Sequence, residues 1–180
     1  MQLVDSIGQE IWLKMKDLKK NNLVDKIGFS IYDPEELDKL YDDFHPDIIQ
    51  APFNIFDQRL ETSGWLEKLH NSGVEVHIRS VFLQGLLLIS AKDRPIEFKR
   101  WAYLWKILDK WLAEEGLTPL EACIGFANAN EYISHIVVGV DSKSQLKQIL
   151  EASDKVLDFF PSSIITTDQS LINPSNWTDL

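Results

Sequence analysis

The sequence predicts an α/β fold built on parallel strands, and three observations carry the prediction. Short apolar stretches alternate with amphipathic helical stretches, and the pair recurs about every 25–50 residues. Helix start signals (Asp-Pro, Thr-Pro) and stop signals (Gly) fall at the joints. The apolar stretches run to only a few residues each and are apolar nearly throughout, which predicts strands covered on both faces.

Taken in order, residues 5–20, DSIGQEIWLKMKDLKK, place Ile7, Ile11, Trp12, Met15 and Leu18 on one helical face. Asp5 or Ser6 would cap the start, and the closing lysines suit the helix dipole. KIGFSIY (26–32) reads as the first strand. DPEELDKLYDDF (33–44) follows as a helix with Asp33 at the N-cap and Pro34 at its first position. DIIQAPFNIF (47–56) is a strand opening into a loop, and SGWLEKLHNSG (63–73) a helix ended by Gly73. VEVHIRS (74–80) is the third strand. RWAYLWKILDKWLAEEG (100–116) and the stretch from Pro119, PLEACIGFANAN, are helices. SHIVVGV (134–140) is the fourth strand, SKSQLKQILEASDKVL (142–157) a helix, and the tail is expected to be mostly irregular.

The 180 residues suit one domain, residues 1–180, with no linker. Four parallel strands fit either a small open sheet or half of a closed eight-unit barrel, which whole needs ~250 residues. Hydrophobic residues are 44% and charged residues 26% of the chain, as in ordinary globular domains. A net charge of −10 argues against nucleic acid and anionic membrane as partners. Cys123 is the single cysteine, so no internal disulfide forms and a cytoplasmic location is expected. The first residues lack the layout of a signal peptide, and no apolar run approaches the roughly 20 residues of a membrane span.

Four stretches, KIGFSIYDPEEL, DIIQAPFNIFDQRL, IRSVFLQGLLL and IVVGVDSKSQLKQILEA, with a closing LINPSNW, resemble the C-terminal half of the aldo-keto reductase family in order and spacing. The resemblance implies half of a TIM (β/α)8 barrel, units five to eight, from an oxidoreductase that reduces carbonyls with NADP or NAD. It also implies that the family's catalytic aspartate, tyrosine, lysine and histidine, which come from units one to four, have no counterpart. No catalytic residue is therefore assigned. The chain alone is expected to be inactive, to bind the dinucleotide weakly or not at all, and to pair with a missing N-terminal half or form a homo-oligomer.

By the same resemblance, Ser30 and Gln50 would meet the nicotinamide amide, with Ile31 standing where the family has an asparagine. Arg79 takes the place of an aromatic residue that stacks on the nicotinamide. A guanidinium also stacks, or contacts a substrate anion; the alternative is an ion pair with Glu75 or Asp141. Ser80, Phe82, Leu83 and Gln84 fall on the pyrophosphate loop, with Gly85 allowing its turn. Gly139, Asp141, Gln145 and Gln148 fall on the adenosine-phosphate positions, where Ile149 replaces an asparagine. Asp141 and Ile149 are expected to remove any preference for the 2′-phosphate form.

Other features read as structural. His45, His70, His77 and His135 read as solvated or structural, and no cluster along the chain has metal-site spacing, so no metal is assigned. Trp101, Trp105, Leu108 and Trp111 form a core-facing helical stripe. Cys123 reads as a buried small residue with no basic neighbour. The rival functional reading is a non-catalytic half-barrel used for binding or assembly, without a cofactor.

Overall fold

The computed structural model describes residues 6–179. Helix α1 spans Ser6–Lys20. The expected cap at Asp5 lies outside the described residues, and Ser6 is already helical. The packed side of α1 differs from the predicted face. Trp12 is buried, but Ile7, Ile11 and Leu18 are exposed. Trp12 sets the rotation by meeting Phe44 and Phe29 edge-on at 5.5 and 6.1 Å. Lys19, on the same side, pairs with Asp47 at 2.5 Å.

Strand β1 (Gly28–Ser30) is followed by a tight turn at Pro34–Glu36 and helix α2 (Leu37–Phe44). Asp33 accepts from the Glu35 N–H, and the Glu36 carboxylate accepts from the Asp33 N–H. Both ends of the capping box are therefore formed, as the Asp-Pro signal predicts. Strand β2 (Ile48–Pro52), helices α3 (Arg59–Thr62) and α4 (Trp65–Asn71), and strand β3 (Glu75–Arg79) come next. Gly73 ends this helix pair with φ 74°, a conformation that favours glycine. Helix α5 (Ala102–Glu115) stops at Gly116, and α6 (Pro119–Asn128) starts with a Thr118/Glu121 capping box. Strand β4 is only His135–Ile136, shorter than the expected 134–140. Helix α7 runs Lys143–Ala152.

The tail also departs from expectation. It carries helix α8 (Gln169–Ile172) between two tight turns, and it buries Ile164, Leu171 and Ile172 in the main core. Asp168 caps α8 and accepts from the Trp101 indole at 2.8 Å, which ties the tail to the start of α5.

All four strands are parallel and lie in the order β1-β2-β3-β4. Each connection steps to the next neighbour in one direction, so the crossover helices collect on one face. Burial follows. Ile49, Ala51, Val76 and Ile78 are buried under the helices, whereas their alternates Gln50, Glu75 and His77 are only half-buried. The expectation of cover on both faces is thus corrected: one face packs and the other is open. The open face is also polar. Parallel register aligns Ser30, Gln50, His77 and His135 in one row across it. Gly28 lets β1 lie flat on β2, because a Cβ there would run into the Ile48 carbonyl.

The tryptophan stripe packs as the 3.6-residue period requires, with Trp101, Trp105, Leu108 and Trp111 all buried. Phe53 at the end of β2 stacks on Phe126 of α6 at 5.1 Å. No helix among the described residues is long and apolar enough to cross a membrane.

Candidate site at the carboxyl ends of the strands

Arg79 closes β3 and points toward β1. Its Nη2 donates to the Ile31 carbonyl at 3.0 Å, and its guanidinium lies 4.5 Å above the Tyr32 ring. The other contacts, to the Ser30 and Ser80 hydroxyls at 3.4 and 3.3 Å, are long for a charged donor. Neither acid considered in the sequence reading reaches it: among the described residues, Arg79 makes no ion pair with Glu75, Asp141 or any other carboxylate. Its charge is held in place by neutral groups and remains available to an anion. Ser30 in turn donates to Gln50 Oε1 at 3.3 Å, so Ser30, Gln50 and Arg79 form one contiguous polar set.

The loop after Arg79 is built from unusual backbone. Ser80, Leu83 and Gln84 have φ of 59°, 46° and 55°, and Gly85 follows at 84°. Non-glycine residues in this region are strained by a few kcal/mol at most and persist where surrounding contacts fix them. Leu83 does the fixing from below, with its side chain fully buried. Its side chain therefore supports the loop and does not line the groove. The second support is Asn54, whose Nδ2 donates to the Ser80 carbonyl at 3.1 Å. Asn54 Oδ1 also accepts from the Phe56 and Asp57 N–H groups at 3.0 Å each. Among the described residues, no acceptor meets the N–H groups of Phe82, Gln84 or Gly85. Loops with successive free N–H groups are anion sites.

A groove of about 950 Å³ runs from this loop to α7. Arg79, Ser80, Phe82 and Gln84 line one end, and Gly139, Asp141, Gln145, Gln148 and Ile149 the other, with Thr118 to Glu121 forming a wall. Ser142, not Asp141, caps α7, accepting from the Gln145 N–H at 3.1 Å. Gln145 Oε1 accepts from the Asp141 N–H at 2.7 Å, which commits part of its amide to the helix start. The Asp141 carboxylate makes no hydrogen bond or ion pair among the described residues.

Behind the site, Arg59 bridges Asp57 and Asp33. Burial alone would lower the Arg59 pKa, but the hydrogen bond and charge of Asp57, with Asp33 and Glu35, more than offset it, so the pKa stands above its ordinary value. Sequence reading passed over Asn54, Asp57 and Gln58, all buried polar residues. Their signal was present: three polar residues in an otherwise apolar run, FNIFDQ, which only a hydrogen-bonded turn accommodates.

A model of the aldo/keto reductase family matches residues 5–162. The chain belongs to that family. No curated protein sequence matches it. Among solved structures it is similar to aldo-keto reductase AKR11C1 from Bacillus halodurans in the holo form, at 20% identity and TM-score 0.63, covering 84% of this chain and 52% of that one. The apo form of the same enzyme gives 18% identity and TM-score 0.64, covering 91% and 56%. A thermostable aldo-keto reductase solved with the inhibitor epalrestat gives 19% and 0.58, covering 83% and 50%. This aldo/keto reductase family chain thus spans about half the length of the solved structures it matches, and its four parallel strands correspond to about half of their barrel. The family normally uses NAD(P)H.

Proposed function

We propose that the chain is the dinucleotide-holding portion of an aldo-keto reductase-like oxidoreductase, equivalent to barrel units five to eight. The observation that carries this reading is the unpaired charge of Arg79 beside the free N–H groups of Phe82, Gln84 and Gly85. Together they offer a pyrophosphate one fixed cation and several aligned donors. Ser30 and Gln50 supply a hydroxyl and an amide that match a nicotinamide carboxamide in donors and acceptors. Gly139, Asp141, Gln145 and Gln148 lie where the adenosine end would rest. NADP or NAD, when bound, supplies the hydride.

The residues of this chain then orient the cofactor, and none of them gives a proton to a carbonyl oxygen. Arg79 does not release its proton at neutral pH. Tyr32 has the Arg79 guanidinium over its ring, with no lysine among its contacts. The purified chain is therefore expected to show no carbonyl reductase turnover above background. Clear turnover lost in Tyr32→Phe would overturn that expectation.

Titration with NADH and NADPH, followed by calorimetry and nucleotide fluorescence, tests the binding. Weak saturable binding is expected, reduced about tenfold or more in Arg79→Ala by loss of a charged hydrogen-bond donor. Absence of binding at millimolar nucleotide would sink the proposal and favour a half-barrel module that works without a cofactor.

A further inference from the structure

The open face of the sheet gathers three metal-binding side chains that are scattered in sequence. Glu75 and His77 are alternate residues of β3, so both project from the same face. His135 is the register partner of His77 on β4. The potential ligand atoms of Glu75, His77 and His135 all lie within 4.8 Å of one another. The two imidazole rings have centroids 4.5 Å apart and are tilted by 56°, so they converge without stacking flat. From these positions we infer that Glu75, His77 and His135 form a binding site for a divalent first-row transition metal such as Zn2+.

Three further facts fit. Ligand atoms around a tetrahedral Zn2+ at about 2.1 Å stand about 3.4 Å apart. Glu75 Oε2 and His77 Nε2 are already separated by 3.4 Å, so only the exposed His135 ring has to adjust. Secondly, His77 Nε2 is shielded from solvent, and the Glu75 carboxylate beside it at 3.4 Å does not form a well-aligned hydrogen bond with it. A shielded ring nitrogen so placed beside a carboxylate oxygen is suited to sharing a metal ion with it. Thirdly, Lys26 engages Glu75 through Oε1, which fixes the carboxylate and leaves Oε2 turned to the histidines. Two imidazoles and one carboxylate are the donor set that suits Zn, Co, Ni or Cu ions in preference to Mg or Ca.

The site would be structural. It joins β3 to β4, the shortest strand of the sheet, which is held otherwise by a few backbone bonds such as Val137 N–H to the Ile78 carbonyl at 2.8 Å. A metal bound only by the folded register stabilises the fold, increasingly as free metal rises above its Kd. His77 and His135 share the cross-strand row of Ser30 and Gln50, and metal occupancy is read on the chain with no nucleotide present.

The test uses the untagged chain after EDTA treatment and removal of the chelator. Calorimetry with Zn2+ should give one site per chain at micromolar affinity or better, and Zn2+ should raise the thermal midpoint. His135→Ala, a change at an exposed side chain, should weaken binding by about tenfold or more and abolish the thermal shift. His70→Ala, at a histidine outside the cluster, should leave both intact. Co2+ bound to the wild-type chain should show ligand-field bands without sulfur charge transfer, which excludes Cys123 as the ligand. No Zn2+ binding by the wild-type chain, or equal binding by wild type and His135→Ala, would overturn the inference. Loss of binding in His70→Ala would do the same.

Discussion

Arg59 stands with its side chain 11% exposed between Asp57, at 1%, and the partly exposed Asp33. Removing one partner of a buried pair leaves the other charge without compensation, which typically costs about 3–5 kcal/mol. Arg59→Ala should therefore lower the urea-unfolding free energy by about that amount, and an effect below 1 kcal/mol would show that water reaches Asp57. At the groove, Asp141 sets an unpaired carboxylate beside Gln145 and Gln148. Replacing it should relieve repulsion toward a 2′-phosphate. Asp141→Ser is expected to shift the ratio of NADPH to NADH affinity toward NADPH, and an unchanged ratio would place Asp141 away from the nucleotide. The two residues also differ in how far sequence reveals them. Asp33 was legible as a cap because its partners are two and three residues away. The surroundings of Arg79 were not, because Ile31, Tyr32 and Ser30 reach it only through strand pairing. Glu75, His77 and His135 were hidden for the same reason: their spacing in sequence says nothing until β3 and β4 are in register.

Among elements, α8 depends on a single carboxylate. Asp168 accepts from the Trp101 indole and also caps the helix through the Ser170 N–H, and these hydrogen bonds, with Arg100 nearby, hold its carboxyl below its ordinary pKa against an opposing effect of burial. A folded-state pKa below the unfolded value means stabilisation that is complete above the unfolded pKa. It is lost as pH falls through the folded value. Urea midpoints measured from pH 7 down to pH 3 should therefore drop at the acid end, and drop less in Asp168→Asn. Equal acid sensitivity in both proteins would remove Asp168 from the account. The helices and their starts were readable because capping and the 3.6-residue period are local. Strand β4 was overextended because SHIVVGV is apolar enough for a strand, yet pairing on one side only holds two residues of it. The tail was underestimated because α8 is held by contacts with α5 more than 60 residues away, and four-residue helices leave little periodic signal.

At the scale of the molecule, β1 and β4 each have a neighbour on one side only. Beside β1, helix α1 exposes Ile7, Ile11 and Leu18 on one face. Unpaired edges and such apolar faces favour association. Sedimentation should show concentration-dependent self-association of the chain, reduced in a double Ile11→Lys and Leu18→Lys variant, whereas a monomer throughout the micromolar range would count against it. The class of fold was legible because unit repetition fixes parallel strands. The polar character of the open face was not, because single apolar and polar residues alternate within strands too short to display a period.

Strand order has one more consequence, in time and not in space. Every strand bonds only to its sequence neighbours, so opening the sheet from either end breaks one ladder at a time. Amide hydrogen exchange should accordingly be graded across the sheet. Ile49 and Ala51, whose N–H groups face β3 within the central β2–β3 pair, should exchange most slowly, and Ile31 and Val137, whose N–H groups bond across the two edge ladders, much faster. Zn2+ at saturation should slow Val137 selectively, turning a symmetrical pattern of protection into a lopsided one.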